Sequence, residues 1–281
     1  PIREELVMSL TEYIGRVGSG ILTPDESNCK MVRLPQPVLT NTQLDILCNI
    51  RYKGFKTVKL KTICPLPQGI QDFRDAGMPD NIHANLENAL DELCKKAEEC
   101  VDEGVNYIIL SDRDVDENHY VIPSLLAVSA VHHYLISVGK RVQTALIAES
   151  GEIREVMHAA LLLGYGASAI CPYMTFAVID NLVNNHKIQD DYETAEKHYI
   201  QAVDKGLKKI MSKMGISTIR SYRGAKIFEA VGISDSLLAK YFGTQGSTIG
   251  GITLKEIAKE YTALHAPLRD KKDVEIKNQG L

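Results

Sequence analysis

The stretch VQTALIAESGEIREVMHAALLLGYGASAICPY, Val142 to Tyr173, reads as strand, helix and strand in one unit. Val142, Ala145, Leu146, Ile147 and Ala148 form a near-continuous apolar run, the pattern of a parallel strand buried on both faces. Ser150 is the predicted N-cap of the helix that follows, and Glu152 in its first turn suits the positive end of the helix dipole. Ile153, Val156, Met157, Ala160, Leu161 and Gly164 recur at helical spacing and predict the stripe that packs on a sheet. Gly164 and Gly166 close the helix, and Ala167 to Ile170 begin the next strand after a tight connection. On this wheel Leu162 lies about 180° from Ile153, on the side expected to meet water. A single exposed leucine is ordinary; the alternative is a second layer that covers it, such as a neighbouring domain.

Working outward, the same alternation recurs. Ala84 to Val101 is a helix with Leu86, Ala89, Leu90, Leu93, Ala97, Cys100 and Val101 on one stripe and Gly104 as its stop. Val105 to Ser111 is a further buried strand. Lys56 to Ile63 alternates charged and apolar residues, and Lys59 and Lys61 on one face predict an edge position. Thr42 to Asn49 reads as a short helix. From Thr11 to Asn41, glycines and prolines interrupt every period, so this segment is expected to wrap a surface and to contribute little to the core. Val121 to Val138 is apolar nearly all round. Pro123, Ser124, Ser129, His132, His133 and Ser137 make it costly in lipid, so it reads as a helix sandwiched between protein layers. Helices are expected over Met174 to Asn184, Tyr192 to Met214, Ala225 to Val231 and Leu254 to Leu264. A short strand is expected at Ile216 to Ser221, a flexible loop at GTQGSTIGG (Gly243 to Gly251) and a frayed charged tail from Arg269.

Strands alternating with helices give an α/β fold: repeated βα units with a mainly parallel sheet, either open or an incomplete, degenerate barrel of the (β/α)₈ type. The expected division is a wrapping segment over 1–55, a βα-repeat core over 56–233 and a helical C-terminal extension over 234–281. The opening PIREELVMSL lacks a Met and reads as the tail of something upstream, as in a piece of a longer polypeptide.

With 281 residues, 44 % of them apolar, and a formal net charge of -4, the chain is an ordinary globular protein by composition. Its pI near 6.1 gives no electrostatic case for nucleic acid or an anionic membrane. Cys29, Cys48, Cys64, Cys94, Cys100 and Cys171 form no CxxC pair and have no histidine at zinc spacing, so they read as reduced thiols of a cytoplasmic protein. Asp112, Asp114 and Asp116 imitate the start of a calcium loop, but Glu117 replaces its glycine and Pro123 its bidentate glutamate. His132 and His133 are adjacent on a helix and face different ways, and His158 lies on a polar flank. The glycines of GTQGSTIGG match neither phosphate-binding fingerprint.

Ligands of α/β folds gather at the carboxyl ends of the strands. Those ends are expected to carry Cys64, Asp112, Arg113, Glu149, Ser150, Cys171 and Tyr173, and, if the short strand after Ile216 exists, Tyr222 and Arg223. Such a polar rim suits an interface or a small-molecule site. The plainer reading has Asp112 and Glu149 capping loops and pairing with Arg113. No complete catalytic, cofactor-binding or metal-binding constellation is visible, so the candidates are rim or interface positions: Asp112, Arg113, Glu149, Tyr222, Arg223 and Leu162.

PIREELVMSL, RLPQPVLTN (Arg33 to Asn41), LSDRDVDENHYVIPSLLAVSAVHHYLI (Leu110 to Ile136), ESGEIREVMHAALLLGYGASAICPY (Glu149 to Tyr173) and KIMSKMGISTIRSYRGAKIFEAVGI (Lys209 to Ile233) closely resemble the central domain of the large (alpha) subunit of glutamate synthase. The resemblance implies a module of a multidomain iron-sulfur flavoprotein, an oxidoreductase acting on CH–NH2 donors, whose glutaminase releases ammonia that a tunnel carries to an FMN barrel. There 2-oxoglutarate becomes glutamate with electrons from NADPH, NADH or ferredoxin. The central domain would be a degenerate relative of the FMN barrel, with the glutaminase and FMN domains as its neighbours and an electron-donating small subunit or ferredoxin as a further partner. The family's nucleophilic cysteine, FMN site and iron-sulfur segment lie outside these residues, so no catalytic role is carried over, no cofactor is expected in this stretch and the fragment alone is expected to be inactive. The alternative is an independent α/β enzyme or small-molecule-binding domain that uses the Asp112, Arg113 and Glu149 rim.

Overall fold

In the computed structural model, residues 2–17, 26–66, 82–243 and 246–269 are described. The elements are α1 (Ile2–Val7), β1 (Glu12–Gly15), β2 (Met31–Leu34), α2 (Asn41–Cys48), β3 (Thr57–Lys61), β4 (Ile63–Pro65), α3 (Ile82–Asp102), β5 (Tyr107–Ser111), β6 (His119–Val121), α4 (Ser124–Ser137), β7 (Ala145–Glu149), α5 (Val156–Gly164), β8 (Ala169–Cys171), α6 (Tyr173–Asn184), α7 (Tyr192–Met214), α8 (Ile219–Tyr222), α9 (Asp235–Tyr241) and α10 (Leu254–Arg269). The loop sequences CPLPQG, in part, and DAGMPD lie outside the described residues, as do Thr244, Gln245 and the tail beyond Arg269.

The core is a parallel sheet of order β3-β5-β7-β8, every neighbour one βα unit further along the chain. The fold is therefore α/β with repeated βα units, as the apolar runs predict. β3 is at an edge, in keeping with its lysines. A fifth position is added where Val38 bridges Ile170 of β8, in parallel, with Ile170 N donating to Pro37 O and Leu39 N to Ile170 O. β5 and β7 are buried at every residue, so both faces of the sheet are covered.

The register sorts the two faces. Val58, Leu60, Ile108, Leu110, Leu146, Ala148 and Ile170 share one, and α3, α4 and α5 pack on the strands from the side that right-handed crossovers dictate. Thr57, Lys59, Tyr107, Ile109, Ser111, Ile147, Glu149 and Cys171 share the other, which would face the lumen of a closed barrel. Here α2 lies across it: Thr57 Oγ1 donates to Leu47 O at 2.7 Å at one edge, and Cys171 Sγ approaches Asn41 Oδ1 at 3.6 Å at the other. The antiparallel pair β1–β2 covers the lower end of the same face, where Tyr107 OH meets Ile14 O at 3.4 Å.

Several expectations are corrected. The segment 11–41 does contribute core: Ile14, Leu34, Val38 and Leu39 are buried, because the covered lumen face needs apolar groups where an open surface would not. β7 starts at Ala145; Arg141–Gln143 is a 3-10 turn and Val142 is exposed. α5 starts at Val156, with Glu155 and His158 forming its capping box. Ser150 is not the N-cap, and Ile153 lies outside the helix. A wheel drawn from Ile153 is therefore rotated wrongly: Met157 is 50 % exposed and Leu162 only 2 %. α4 against α5, with Leu125 and Tyr261 beside Leu162, is the covering layer. Ile216 to Ser221 is not a strand but one bridge, Ser9 to Thr218, followed by α8. Ala225 to Val231 is irregular, with Lys226 at φ 53°. The helices α1 and α9 and the antiparallel pairs β1–β2 and β4–β6 escaped the sequence reading.

Candidate functional site

The polar rim exists at the carboxyl ends of β5, β7 and β8, and it is a closed network. Glu149 ends β7 with 2 % of its surface exposed. Its carboxylate accepts from Ser111 Oγ at 2.6 Å and Arg113 Nε at 2.7 Å, and pairs with Lys59 Nζ at 2.7 Å. Burial alone would push its pKa up, but the hydrogen bonds from Lys59, Ser111 and Arg113 together overcome it and hold the carboxyl below its ordinary value. Arg113 also donates Nη2 to Asn41 Oδ1 at 2.8 Å, and its guanidinium stacks 4.2 Å from the Tyr173 ring centre.

Asp112 belongs to a second, adjoining set. It accepts from Ser150 Oγ at 2.5 Å and from Gly151 N at 3.1 Å. Burial raises its pKa, and the Ser150, Tyr173 and Gly151 donors offset only part of that. One carboxylate of the rim is thus held ionised by cations, and its neighbour is held towards neutrality by burial. Glu149 pairs with Arg113 and Asp112 caps the β7–α5 loop, so the plainer reading of these residues describes them well. Lys59, Ser111, Ser150, Tyr173 and Asn41 are members that sequence reasoning left out of the candidate set. Lys59 carries a signal: in register it lies on the same face as Glu149, where its charge is met by that carboxylate and not by solvent at an edge.

Tyr222 and Arg223 are elsewhere. Because 216–221 forms no strand, α8 delivers them beneath the opposite, amino-terminal end of the sheet. Tyr222 OH donates to Ala160 O at 3.1 Å, while Arg223 donates Nε to Ala167 O at 3.2 Å and pairs Nη2 with Glu12 at 2.7 Å. Leu162 lines a third location, a cavity of ≈ 550 Å³ with Pro123, Ser124, Leu125, Glu152 and Tyr261. Tyr261 OH donates to Glu152 Oε1 at 2.5 Å there, and Ser124 N to Glu152 Oε2 at 2.6 Å.

The three aspartates of the calcium-like run part company: Asp112 is bound as above, Asp114 pairs with Lys61 at 3.4 Å, and Asp116 meets His119 Nδ1 at 2.6 Å. Among the described residues no group of three or more His, Cys, Asp and Glu side chains could hold a metal ion. Burial pushes the thiols of Cys64 up to about 11 and of Cys94 and Cys171 up to about 12, so none is a thiolate at neutral pH. His158 caps α5, and His132 accepts from Arg141. Among the described residues no helix is long and apolar enough to cross a membrane.

A family model described as the glutamate synthase central domain matches residues 1–234. Relatives include the large chain of glutamate synthase [NADPH] from Bacillus subtilis, 40 % identical over 94 % of this chain and 16 % of the relative. Glutamate synthase [NADH] from Schizosaccharomyces pombe is 39 % identical over 94 % of this chain and 12 % of its own length. Ferredoxin-dependent glutamate synthase 2 from Synechocystis is 36 % identical, with 94 % and 17 % covered. The chain thus spans less than a fifth of the relatives it matches. Among solved structures, a flavocytochrome b2 variant with sulfite bound overlaps 57 % of this chain and 40 % of that one, at 13 % identity and a TM-score of 0.40.

Proposed function

This chain belongs to the glutamate synthase central domain family, and on that premise we propose that it is the connecting module of a longer polypeptide that makes two glutamates from glutamine, 2-oxoglutarate and two electrons. In this reading it bridges a glutaminase domain and an FMN synthase domain and helps to enclose the passage of ammonia between them. Ammonia that escapes to bulk water is protonated and diluted, so the two sites need a spacer of fixed geometry. A sheet covered on both faces supplies that; a flexible linker would not.

The observation that carries the reading is the closure of the rim. At the strand ends where α/β enzymes place their chemistry, Glu149 is saturated by Lys59, Ser111 and Arg113, and Asp112 is bound by Ser150 and Gly151. Such groups brace; they offer no free base, nucleophile or phosphate cradle among the described residues. The flavin and iron-sulfur cluster of the whole enzyme find no fitting seat in these groups, so the proposal assigns both, and the NADPH, NADH or ferredoxin that reduces them, to other parts of the assembly.

The test is Arg113→Ala in the full-length enzyme, since Arg113 is 41 % exposed at the rim and stacks outward on Tyr173. The expected result is unchanged glutamine binding and flavin content with glutamine hydrolysis running ahead of glutamate formation. Equal ratios and equal turnover in variant and parent would refute a bracing role for the rim.

A further inference from the structure

At the end of the sheet opposite the rim, below the starts of β7 and β8, lies a cavity of ≈ 360 Å³ whose lining includes Glu12, His132, Arg141, Thr144, Arg220 and Arg223. Among the described residues three guanidinium groups face one carboxylate there, an excess of two positive charges. Arg223 takes that carboxylate, with Nη2 2.7 Å from Glu12 Oε2. Arg141 has only neutral acceptors: Nε donates to His132 Nδ1 at 2.8 Å, Nη1 to Thr144 O at 2.8 Å and Nη2 to Gly166 O at 2.6 Å. Arg220 is exposed and makes no ion pair with any described residue.

Arg141 plainly ties the turns that lead into β7 and β8 together, and a structural duty of that kind accounts for its three bonds. It does not account for Arg220 and Arg223 being brought to the same cavity. Like charges converging on a part-buried space repel and lose hydration, an arrangement that is unfavourable unless something negative completes it. The imidazole there adds no charge to the balance, because burial and the neighbouring Arg141 charge hold His132 neutral, its pKa down to about 2. The excess is felt by Arg141 itself, whose pKa is pushed down to about 9 by burial and by Arg223, with Glu12 offsetting only part. A guanidinium carries five N–H groups in a fork suited to planar or tetrahedral oxyanions, and Arg141 spends three of them on the protein. The remaining two, with those of Arg220 and the N–H groups of Arg223 that Ala167 and Glu12 leave unused, form a set of donors with no acceptor assigned among the described residues.

We propose that this cavity is a binding site for a small free oxyanion, a carboxylate or a phosphate, held by Arg141, Arg220 and Arg223. Its volume is at the small end of the range for small-molecule sites, which suits a mono- or diacid better than a nucleotide. The site is independent of the rim and of the bridging role above.

Crystals of the full-length protein grown in chloride buffer and soaked with selenate or with bromosuccinate locate the ligand by anomalous scattering, and the probe that occupies the cavity tells a tetrahedral from a carboxylate preference. Calorimetric titration with inorganic phosphate and with succinate, at constant ionic strength, supplies the affinity in parent, Arg220→Gln and Glu12→Gln proteins. Arg220→Gln alters an exposed side chain and is expected to weaken binding about tenfold, one charge-assisted hydrogen bond's worth. Glu12→Gln is expected to tighten it by removing the competing carboxylate among the described residues, a direction that loss of folding cannot mimic. The proposal is overturned if neither probe gives density in the cavity, if binding is indifferent to both substitutions, or if a carboxylate side chain from elsewhere in the polypeptide is found seated there.

Discussion

Replacing Glu149 by glutamine keeps the shape of the side chain and removes the charge on which Lys59 and Arg113 converge at 2.7 Å each. Ser111 can still donate to the amide oxygen, but two cations then face each other across a neutral group. Removing one partner of a buried pair costs about 3–5 kcal/mol. Lys59 and Arg113 are 35 % and 41 % exposed, so water can take up part of the stranded charge and the figure is discounted to about 2 kcal/mol. That corresponds to a melting temperature lowered by roughly 4–8 °C for a domain of this size. Lys59→Met leaves Glu149 its bonds to Arg113 and Ser111 and is expected to cost only about 1 kcal/mol. The pH dependence has a definite sign. The folded Glu149 carboxyl titrates below its ordinary value, so its contribution is complete above the ordinary carboxyl pKa and disappears as pH falls through the folded one. The gap between parent and Glu149→Gln, measured by urea unfolding followed by circular dichroism, should therefore close in acid. A glutamine variant as stable as the parent at pH 7, or no less stable than Lys59→Met, would refute this account of the rim.

Asp112→Asn is expected to show the opposite slope: the folded carboxyl titrates above its ordinary value, so its stabilising protonated form is lost as pH rises through that raised pKa. The variant should gain on the parent as pH rises from the ordinary aspartate range, about 4, through the raised folded value, and a pH-independent difference in urea-unfolding free energy counts against it. Leu162→Ala should cost about 2–5 kcal/mol as a buried truncation, against less than about 1 for the half-exposed Met157→Ala; equal losses in thermal unfolding would restore the water-facing reading of Leu162. Gly166 has φ +125° and a Cβ there would lie 2.4 Å from the His132 ring, whereas Gly139 at φ +73° has open space. Thermal unfolding should accordingly show Gly166→Ala losing about 3 kcal/mol or more and Gly139→Ala about 1. Cys29 is exposed while Cys64, Cys94 and Cys171 are buried with raised pKa values; iodoacetamide at pH 8 should modify Cys29 quickly and those three only after unfolding, as read by peptide mass spectrometry.

What the sequence could convey was set by how local the cause was. β5, β7 and α3 are legible because a two-sided buried strand and an amphipathic helix each imprint a period on their own residues. Asp112, Arg113 and Glu149 were found for the same reason, since strand ends follow from strands. Leu162 misled because its orientation depends on where α5 begins: Glu155 is the cap, while Ser150 donates to Asp112 at the end of another strand. Arg223 misled because Ile216 to Ser221 has strand-forming residues but no strand to pair with beyond the single bridge from Ser9. Nor could any window reveal the meeting of Glu12, Arg141 and the Arg220–Arg223 pair, which come from three separate stretches of chain.

The same topology explains why the rim is closed and the other end is open. Val38 pairs with β8, yet the strand after it in sequence is β3, at the far edge of the sheet. The three strand spacings between β8 and β3 amount to on the order of 14 Å, and the eight residues of α2 span about 12 Å of it. The helix must therefore cross the face that a full barrel would keep for its lumen. Its first residue, Asn41, arrives at the carboxyl ends of the strands and accepts from Arg113 in the place a ligand would occupy. Closing this sheet into a barrel would require expelling α2, and with it the buried Leu44 and Leu47. At the amino-terminal end the cover among the described residues is the β1–β2 pair and α8, which bring Glu12 and two arginines but leave a cavity among them. The chain thus fills from within the end of the sheet where ligands of α/β folds gather, and it leaves room, with charge to spare, at the end where they seldom do.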